Sequence, residues 1–470
     1  MKVEQIYTGC LAQGAYYIVS NGEAAIVDPL REIQPYIDRA IKDGVKIKYI
    51  FETHFHADFV SGHVDLAKAT GAIIVYGPTA NTTFEAHIAK DNEIFTLGNV
   101  KMKLLHTPGH TMESSCFLLI NASGKEEALF TGDTLFIGDV GRPDLAQKAA
   151  NMTQEQLAET LFDSLRNKVM VLHDDVIVYP AHGAGSACGK NMSKETVSTI
   201  GNQKKNNYAL RADMTKVEFV KEVTEGLLPP PSYFPLNVKM NKEGYENIDT
   251  VVARGIQPLD PSSFELLANE TGALVLDTRD ANEFAKAFIP NAINIGINGS
   301  FAPWVGALIK DIKQTILLVT EEGMEEEVVI RLARVGYDHA IGFLKGGLET
   351  WKASGRDVDT VTSILAQDFH SIYDKDTILI DVRKDNEYQA EHVEGAVNIP
   401  LDFINDHLTE IPKDKTVYMH CAGGYRSMIA ISMLKARGWD HVIDITGGFA
   451  AIATTAIPKT AYVCPSTLRK

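Results

Sequence analysis

Histidine and aspartate recur in this chain at the spacing of a metal site. The run Thr53-His54-Phe55-His56-Ala57-Asp58 follows the apolar stretch 47–51. Further along come His110 in Thr107-Pro-Gly-His-Thr, Asp133 in Thr131-Gly-Asp-Thr and His182 in Pro180-Ala-His-Gly. Each sits in a turn after a predicted strand, where a rigid sheet can aim side chains into one cleft. Imidazole and carboxylate with no accompanying thiolate suit zinc, iron or manganese. A second chemistry is written in His420-Cys421-Ala422-Gly423-Gly424-Tyr425-Arg426-Ser427, between a predicted strand at 417–420 and a helical run at 428–437. Two glycines at a helix start let backbone N–H groups converge on one point. There they would stabilise a thiolate or a charged persulfide on Cys421, with Arg426 as a fixed positive charge at the rim.

The elements that must position these groups are short. Apolar runs at 24–27, 49–53, 72–76, 101–106, 115–120 and 176–179 alternate with helical patterns and glycine turns, the signature of a layered α/β domain. Three prolines at 229–231 stop the helical pattern that precedes them, so 229–250 reads as a stiff, extended linker between domains. Beyond it the chain repeats itself. Asp277-Thr-Arg279 recurs as Asp381-Val-Arg383, Ala292-Ile-Asn294 as Ala396-Val-Asn398, and Gly336-Tyr-Asp-His as Gly438-Trp-Asp-His. Two copies of one domain, each with a parallel sheet covered on both faces, account for this. The expected domains are 1–228, 251–358 and 359–470, which agrees with the three that 470 residues suggest.

Composition narrows the partners. A net charge of −16 repels phosphate backbones and anionic bilayers, so neither nucleic acid nor membrane is expected. No apolar run has the length of a membrane span and the N-terminus lacks an apolar signal core, which predicts a cytoplasmic protein. Five cysteines spread over the chain are not a disulfide framework and must be judged one by one. Cys10, Cys116 and Cys464 lack a chemical context and read as structural.

The order His-x-His-x-Asp, His, Asp, His resembles the metallo-β-lactamase superfamily across the first half of the chain. The Cys421–Arg426 loop, together with Asp381-Val-Arg383 and the run 391–400, resembles rhodanese sulfurtransferases. Together they imply an αββα sandwich followed by two rhodanese-like α/β domains with parallel sheets. The combination is similar to bacterial persulfide dioxygenases fused to rhodanese domains. By that resemblance His54, His110 and Asp133 would hold one Fe(II), while His56, Asp58 and His182 would orient ligands and waters or hold a second ion. Phe59 stands where the superfamily motif has its last histidine, which argues for one metal. Arg142, in the loop Gly138-Asp-Val-Gly-Arg142-Pro, could pair with a carboxylate of a thiol carrier, and Cys188 could accept sulfur near the iron.

The expected activity is oxidation of a small persulfide, of glutathione or coenzyme A, by O₂ to sulfite. Cys421 would then carry sulfur to or from sulfite and thiosulfate. A homo-oligomer is expected. The middle domain has Thr320 in the cysteine's place, followed by Glu321-Glu-Gly-Met-Glu-Glu-Glu327 and no arginine. Such a row of carboxylates repels thiolate and sulfite, so this copy is expected to be catalytically silent. Two alternatives remain: a zinc-dependent, glyoxalase II-like thioester hydrolase fused to a rhodanese, and a non-catalytic sulfur carrier or persulfide sensor.

Overall fold

The structure, a computed structural model, describes residues 1–464. It forms two compact units, Met1–Ile248 with Ala333–Gly336, and Asp249–Leu332 with the chain from Tyr337 onward. Among the described residues no helix is long and apolar enough to cross a membrane.

The first unit is built on two six-stranded sheets. In the first, β1 (Lys2–Thr8), β2 (Gln13–Ser20), β3 (Glu23–Val27), β4 (Lys46–Phe51), β5 (Ile73–Tyr76) and β6 (His87–Ile88) pair in sequence order. They are antiparallel up to β3 and parallel from β3 onward. In the second, β7 (Ile94–Leu97), β8 (Val100–His106), β9 (Ser115–Ile120), β10 (Glu126–Gly132), β11 (Ile177–Pro180) and β12 (Ser198–Thr199) also pair in order, with only β10 and β11 parallel.

Side chains alternate across a strand, so a strand apolar at every position must be covered on both faces. In β9, Phe117 and Leu119 meet Tyr16, Ile18, Phe51 and Phe130 between the sheets. Cys116 and Leu118 point the other way, towards Leu161 and Phe219 of the helices Gln154–Ser164 and Lys216–Thr224. In β2, Ala15 and Tyr17 likewise face Tyr36 and Leu66 of the helices Gln34–Asp43 and His63–Thr70. Two sheets with a helical layer outside each make an αββα sandwich. Thr153 with Gln156 and Thr215 with Glu218 close reciprocal caps on the two outer helices of the second sheet, fixing where they start.

Strand direction then decides where the polar loops gather. β8, β10 and β11 run the same way, so their C-terminal ends deliver His110, Asp133 and His182 to one edge. The C-terminal end of β4, in the facing sheet, delivers His54, His56 and Asp58.

The Pro-rich segment departs from expectation. Only 229–231 precede a turn at 232–233, and from Phe234 to Glu243 the chain is helical, with proline at the start of the helix, where its missing N–H costs nothing. This helix belongs to the first unit and is not a linker. Its buried Asn241 donates from Nδ2 to the carbonyls of His56 and Phe59, both at 2.8 Å, and accepts from Ser61 N at 2.8 Å. The segment therefore pins the loop that carries the first histidines.

The second unit holds the repeat. β13 (Pro258–Leu259), β14 (Leu274–Asp277), β15 (Ile293–Asn294), β16 (Ile316–Val319) and β17 (Ala340–Leu344) form a parallel sheet in the order β13-β17-β16-β14-β15. β18 (Thr362–Leu365), β19 (Ile378–Asp381), β20 (Val397–Asn398), β21 (Val417–His420) and β22 (Val442–Thr446) repeat it as β18-β22-β21-β19-β20. The duplicated sequence marks are duplicated contacts. Arg279 forks onto Asp277 as Arg383 forks onto Asp381. Asn294 Nδ2 bridges the carbonyls of Asp277 and Arg279, and Asn398 Nδ2 does the same for Asp381 and Arg383. The helix Tyr425–Lys435 is buried at every position from Ser427 to Leu434. An all-round buried helix needs cover on two sides, and the first copy supplies one of them, with Asn294 N donating to Ser432 Oγ at 2.9 Å.

Removing Asn241 would strand two buried carbonyls and one N–H. Asn241→Ala is expected to destabilise the first unit by about 3 kcal/mol. Exposed Lys239→Ala on the same helix should change it by less than about 0.5 kcal/mol, both read from denaturant midpoints of the first unit's transition.

Candidate metal centre and sulfur-transfer site

His54, His110 and Asp133 each present one ligand atom, and the three atoms lie within 4.8 Å of one another, all buried. His54 Nε2 is 3.7 Å and His110 Nε2 3.5 Å from Asp133 Oδ2. That carboxylate oxygen is buried and has no hydrogen-bond partner among the described residues, as a cation's ligand would be before the cation arrives. Two imidazoles and one carboxylate converging on a dry point fit a divalent metal.

The supporting hydrogen bonds set the tautomers. His110 Nδ1 lies 2.8 Å from the Arg142 carbonyl, which can only accept, so Nδ1 carries the proton and Nε2 the lone pair. Thr53 Oγ1 gives its proton to Asp28 at 2.9 Å and so accepts from His54 Nδ1 at 3.0 Å, again leaving Nε2 bare. Asp28 is held at φ 50°, a conformation unusual for a residue with a side chain, and also accepts from Thr53 N at 2.8 Å. Burial keeps His54 well below the ordinary histidine range, with His56 adding to the effect, so the ring is neutral and ready to bind metal.

Asp133 divides its two oxygens. Oδ2 faces the histidines, while Oδ1 accepts from His182 Nδ1 at 2.7 Å. His182 Nε2 in turn lies 2.8 Å from Asp58 Oδ2. Burial would raise the Asp133 carboxyl, but His182, His54 and His110 outweigh it and hold it well below the usual carboxylate range. Burial also works against charge on His182, yet Asp133 and Asp58 hold it well above the ordinary value. The imidazole between two carboxylates is thus a fixed orienting group.

His56, Asp58 and His182 form a second trio within 4.8 Å, adjoining the first through the Asp133–His182 bond. His56 is turned towards Asp28, with Nε2 3.2 Å from Oδ1, and lies outside the trio of His54, His110 and Asp133. The ring of Phe59 covers His56 at 4.3 Å and comes within 6.3 Å of His182. A fully buried apolar ring therefore sits among these would-be ligands.

Cys188 joins Asp133 and His182 in a further close group. Burial, with Asp58 and Asp133 adding, pushes its thiol well up, so it rests as a neutral thiol. Arg142 is put to a different use from the one expected. Its side chain is 6% exposed, and the guanidinium forks onto Asp144 at 2.7 Å while donating to the carbonyls of Ala187 and Leu228. It straps three segments together, its donors facing acceptors of its own chain. Gly141 beside it has no room for a Cβ, which would run into the Asp133 carbonyl and His110. Of the remaining cysteines, Cys116 is buried and its thiol pushed up to about 11 by burial, Cys10 is half-buried and Cys464 exposed.

In the second unit Cys421, 1% exposed, directly follows β21, and its Sγ accepts from Gly424 N at 3.1 Å. Gly424 stands at φ 108°, which only glycine adopts readily, and opens the helix behind the loop. Arg426 is gripped by Glu387 through two bonds of 2.6 and 2.8 Å, a partner the sequence did not announce. Tyr425 donates to the Gly296 carbonyl of the first copy at 2.8 Å. In that copy Thr320 occupies the cysteine's place and donates only to Glu321 O.

Comparison with known proteins bears on both sites. A family model for the metallo-beta-lactamase superfamily matches residues 8–182, and one for the rhodanese-like domain matches 260–354 and 365–455. The human mitochondrial persulfide dioxygenase ETHE1 is 30% identical over 221 residues, 47% of this chain and 78% of its own length. A probable hydroxyacylglutathione hydrolase of Schizosaccharomyces pombe, glo2, is 34% identical over 161 residues, 34% of this chain. The chain spans 58% of that hydrolase and 59% of a second one from the same yeast. A solved metallo-beta-lactamase structure from Staphylococcus aureus superposes with a TM-score of 0.63 at 30% identity, covering 73% of this chain and 98% of that one.

If His182 orients Asp133, His182→Ala should weaken metal affinity about 10- to 100-fold without unfolding the sandwich. Competition with a chelator of known affinity measures this, and unchanged affinity would detach His182 from the site.

Proposed function

Because this chain belongs to the metallo-β-lactamase superfamily and carries two rhodanese-like domains behind that fold, we propose that it couples an iron-dependent persulfide dioxygenase to a sulfurtransferase. Phe59 carries the choice. Its ring lies on His56, at the motif position of a histidine that a second metal would use, which favours one metal over the two of thioester hydrolysis. Two histidines and one carboxylate leave coordination positions open, the arrangement non-haem Fe(II) oxygenases use. Iron(II) held by His54, His110 and Asp133 would supply adjacent sites for O₂ and for the terminal sulfur of a persulfide. The reaction balances as RSSH + O₂ + H₂O giving RSH, sulfite and two protons.

The chain's own residues do the positioning. Thr53 and the Arg142 carbonyl hold the two ligand histidines in one tautomer, and His182 fixes which Asp133 oxygen faces inward. Burial of all three ligands keeps bulk water from the reacting sulfur. In the second unit Cys421 would carry sulfane sulfur as a persulfide and pass it to sulfite. The Cys421 S–S bond breaks, the outer sulfur joins sulfite as thiosulfate, and the cysteine leaves as thiolate. Gly424 N–H is the donor that steadies this sulfur, and Glu387 holds Arg426 at the rim.

A second reading, zinc-dependent thioester hydrolysis, rests on the close trio His56, Asp58 and His182, which could hold another ion. Metal and activity together decide. Chain purified anaerobically from iron-replete cells should contain one iron and consume O₂ on glutathione or coenzyme A persulfide. Cys421→Ser should keep O₂ uptake and sulfite release but lose thiosulfate. His110→Ala should abolish O₂ uptake and sulfite release while sparing sulfur transfer to added sulfite. Zinc alone, hydrolysis of glutathione thioesters and no O₂ uptake would sink the proposal.

A further inference from the structure

The central strands of a parallel sheet covered on both faces are normally apolar, yet β22 carries Asp444, which is 5% exposed. Its counterpart in the silent copy follows from strand register. Asp444 pairs with Met419 of β21 and Ser363 of β18, and the residue in the same place of the first copy, opposite Leu318 and Pro258, is Phe343. At this place in the sheet a buried carboxylate stands only in the copy that has the cysteine.

Asp444 is tied to the sulfur-transfer loop through one side chain. Ser427 Oγ lies 2.8 Å from Asp444 Oδ1 and 3.1 Å from the Gly424 carbonyl. A hydroxyl has one proton and cannot give it to both acceptors. With Asp444 ionised, the proton belongs to the carboxylate. With Asp444 protonated, the acid donates to Ser427 Oγ, and the serine proton is released to the Gly424 carbonyl, which also accepts from Met428 N. Gly424 is the residue whose N–H is bonded to Cys421 Sγ at 3.1 Å. The silent copy keeps only the glycine, Gly323, of this chain, with Thr320, Glu326 and Phe343 at the places of Cys421, Ser427 and Asp444.

We propose that Asp444 is a positioning residue of the sulfur-transfer site: through Ser427 it sets how firmly Gly424, and with it the backbone donor on the Cys421 sulfur, is held. This rests on the reading that Cys421 carries sulfur. Burial raises the Asp444 carboxyl to about 6, with the Ser427 bond opposing, so the exchange falls in the range a cell visits. Other charges on the surrounding elements are turned elsewhere. His420 of β21 faces Asp381, Arg426 of the helix Tyr425–Lys435 is held by Glu387, and Lys435 pairs with Asp359. Asp368 and His370 of the helix Ala366–Ile372 are exposed. The folded chain binds the Asp444 proton more tightly than the unfolded one, so its contribution to stability falls as pH rises from 3.8 through about 6.

The test uses full-length chain labelled with ¹⁵N-glycine, the Gly424 amide being assigned by its loss in Gly424→Ala. In wild type the amide signal should titrate with a midpoint near pH 6 and stay put in Asp444→Asn and Ser427→Ala. Thiosulfate formation from persulfide-loaded chain and sulfite, measured without O₂, should change several-fold across the same window. It should lose that inflection in both variants and regain it in Ser427→Thr. A Gly424 signal that fails to titrate in wild type, or still titrates in Asp444→Asn, overturns the proposal. So does an amide that titrates while the wild-type transfer rate stays level. If wild-type chain forms no thiosulfate at any pH, the sulfur-carrier reading of Cys421 falls instead, and the amide titration still decides whether Asp444 is coupled to Gly424.

Discussion

The bond between Asp133 and His182 organises the first half of the chain. It takes one carboxylate oxygen and leaves the other, buried and without a hydrogen-bond partner among the described residues, facing the bare Nε2 atoms of His54 and His110, which approach it from two different sheets. Without the Asp133–His182 bond the carboxylate could rotate, and the inward-facing oxygen would no longer be defined. Without the two carboxylates around it, His182 would be a buried imidazole with no reason to keep its orientation. The ligands are therefore mutually conditional, and neither the sandwich nor the loops alone would place them.

The sandwich contributes direction. Its strands bury side chains on both faces, which fixes their register to the residue, since a slip of one would exchange the two cores. Loops leaving parallel strand ends inherit that precision. The first histidine loop receives a second restraint from Asn241, which lies far away in sequence and reaches three backbone groups between His56 and Ser61. Arg142 closes the opposite side by tying its own loop to the Cys188 loop and to Leu228.

What could be read in the sequence was chemistry with a spacing. The histidines, Asp133 and the Cys421 loop stood out because their residue types can do chemistry and their order is specific. The duplicated domain stood out because its structural contacts, Asp277 with Arg279 and Asp381 with Arg383, lie two residues apart. Asn241, Glu387 and Asp444 gave no such signal. Each is an ordinary polar residue whose role exists only once distant segments meet. Arg142 misled for the same reason, because a glycine-rich setting suggested an open arginine while its acceptors, at 144, 187 and 228, were scattered along the chain. The proline run also promised more extension than it delivers. Pro235 stops nothing, because at the first turn of a helix a proline is tolerated.

The two copies keep one architecture around different residues. The first copy has Thr320, Glu326 and Phe343 where the second has Cys421, Ser427 and Asp444, yet the two share the arginine fork, the asparagine bridge and the strand order. The helix behind Cys421 is buried at every position from Ser427 to Leu434. The first copy covers it, accepts the Tyr425 hydroxyl on Gly296 and leaves no space for a side chain at Gly299 against the Tyr425 ring. The first copy is thereby part of the wall around the loop that carries Cys421.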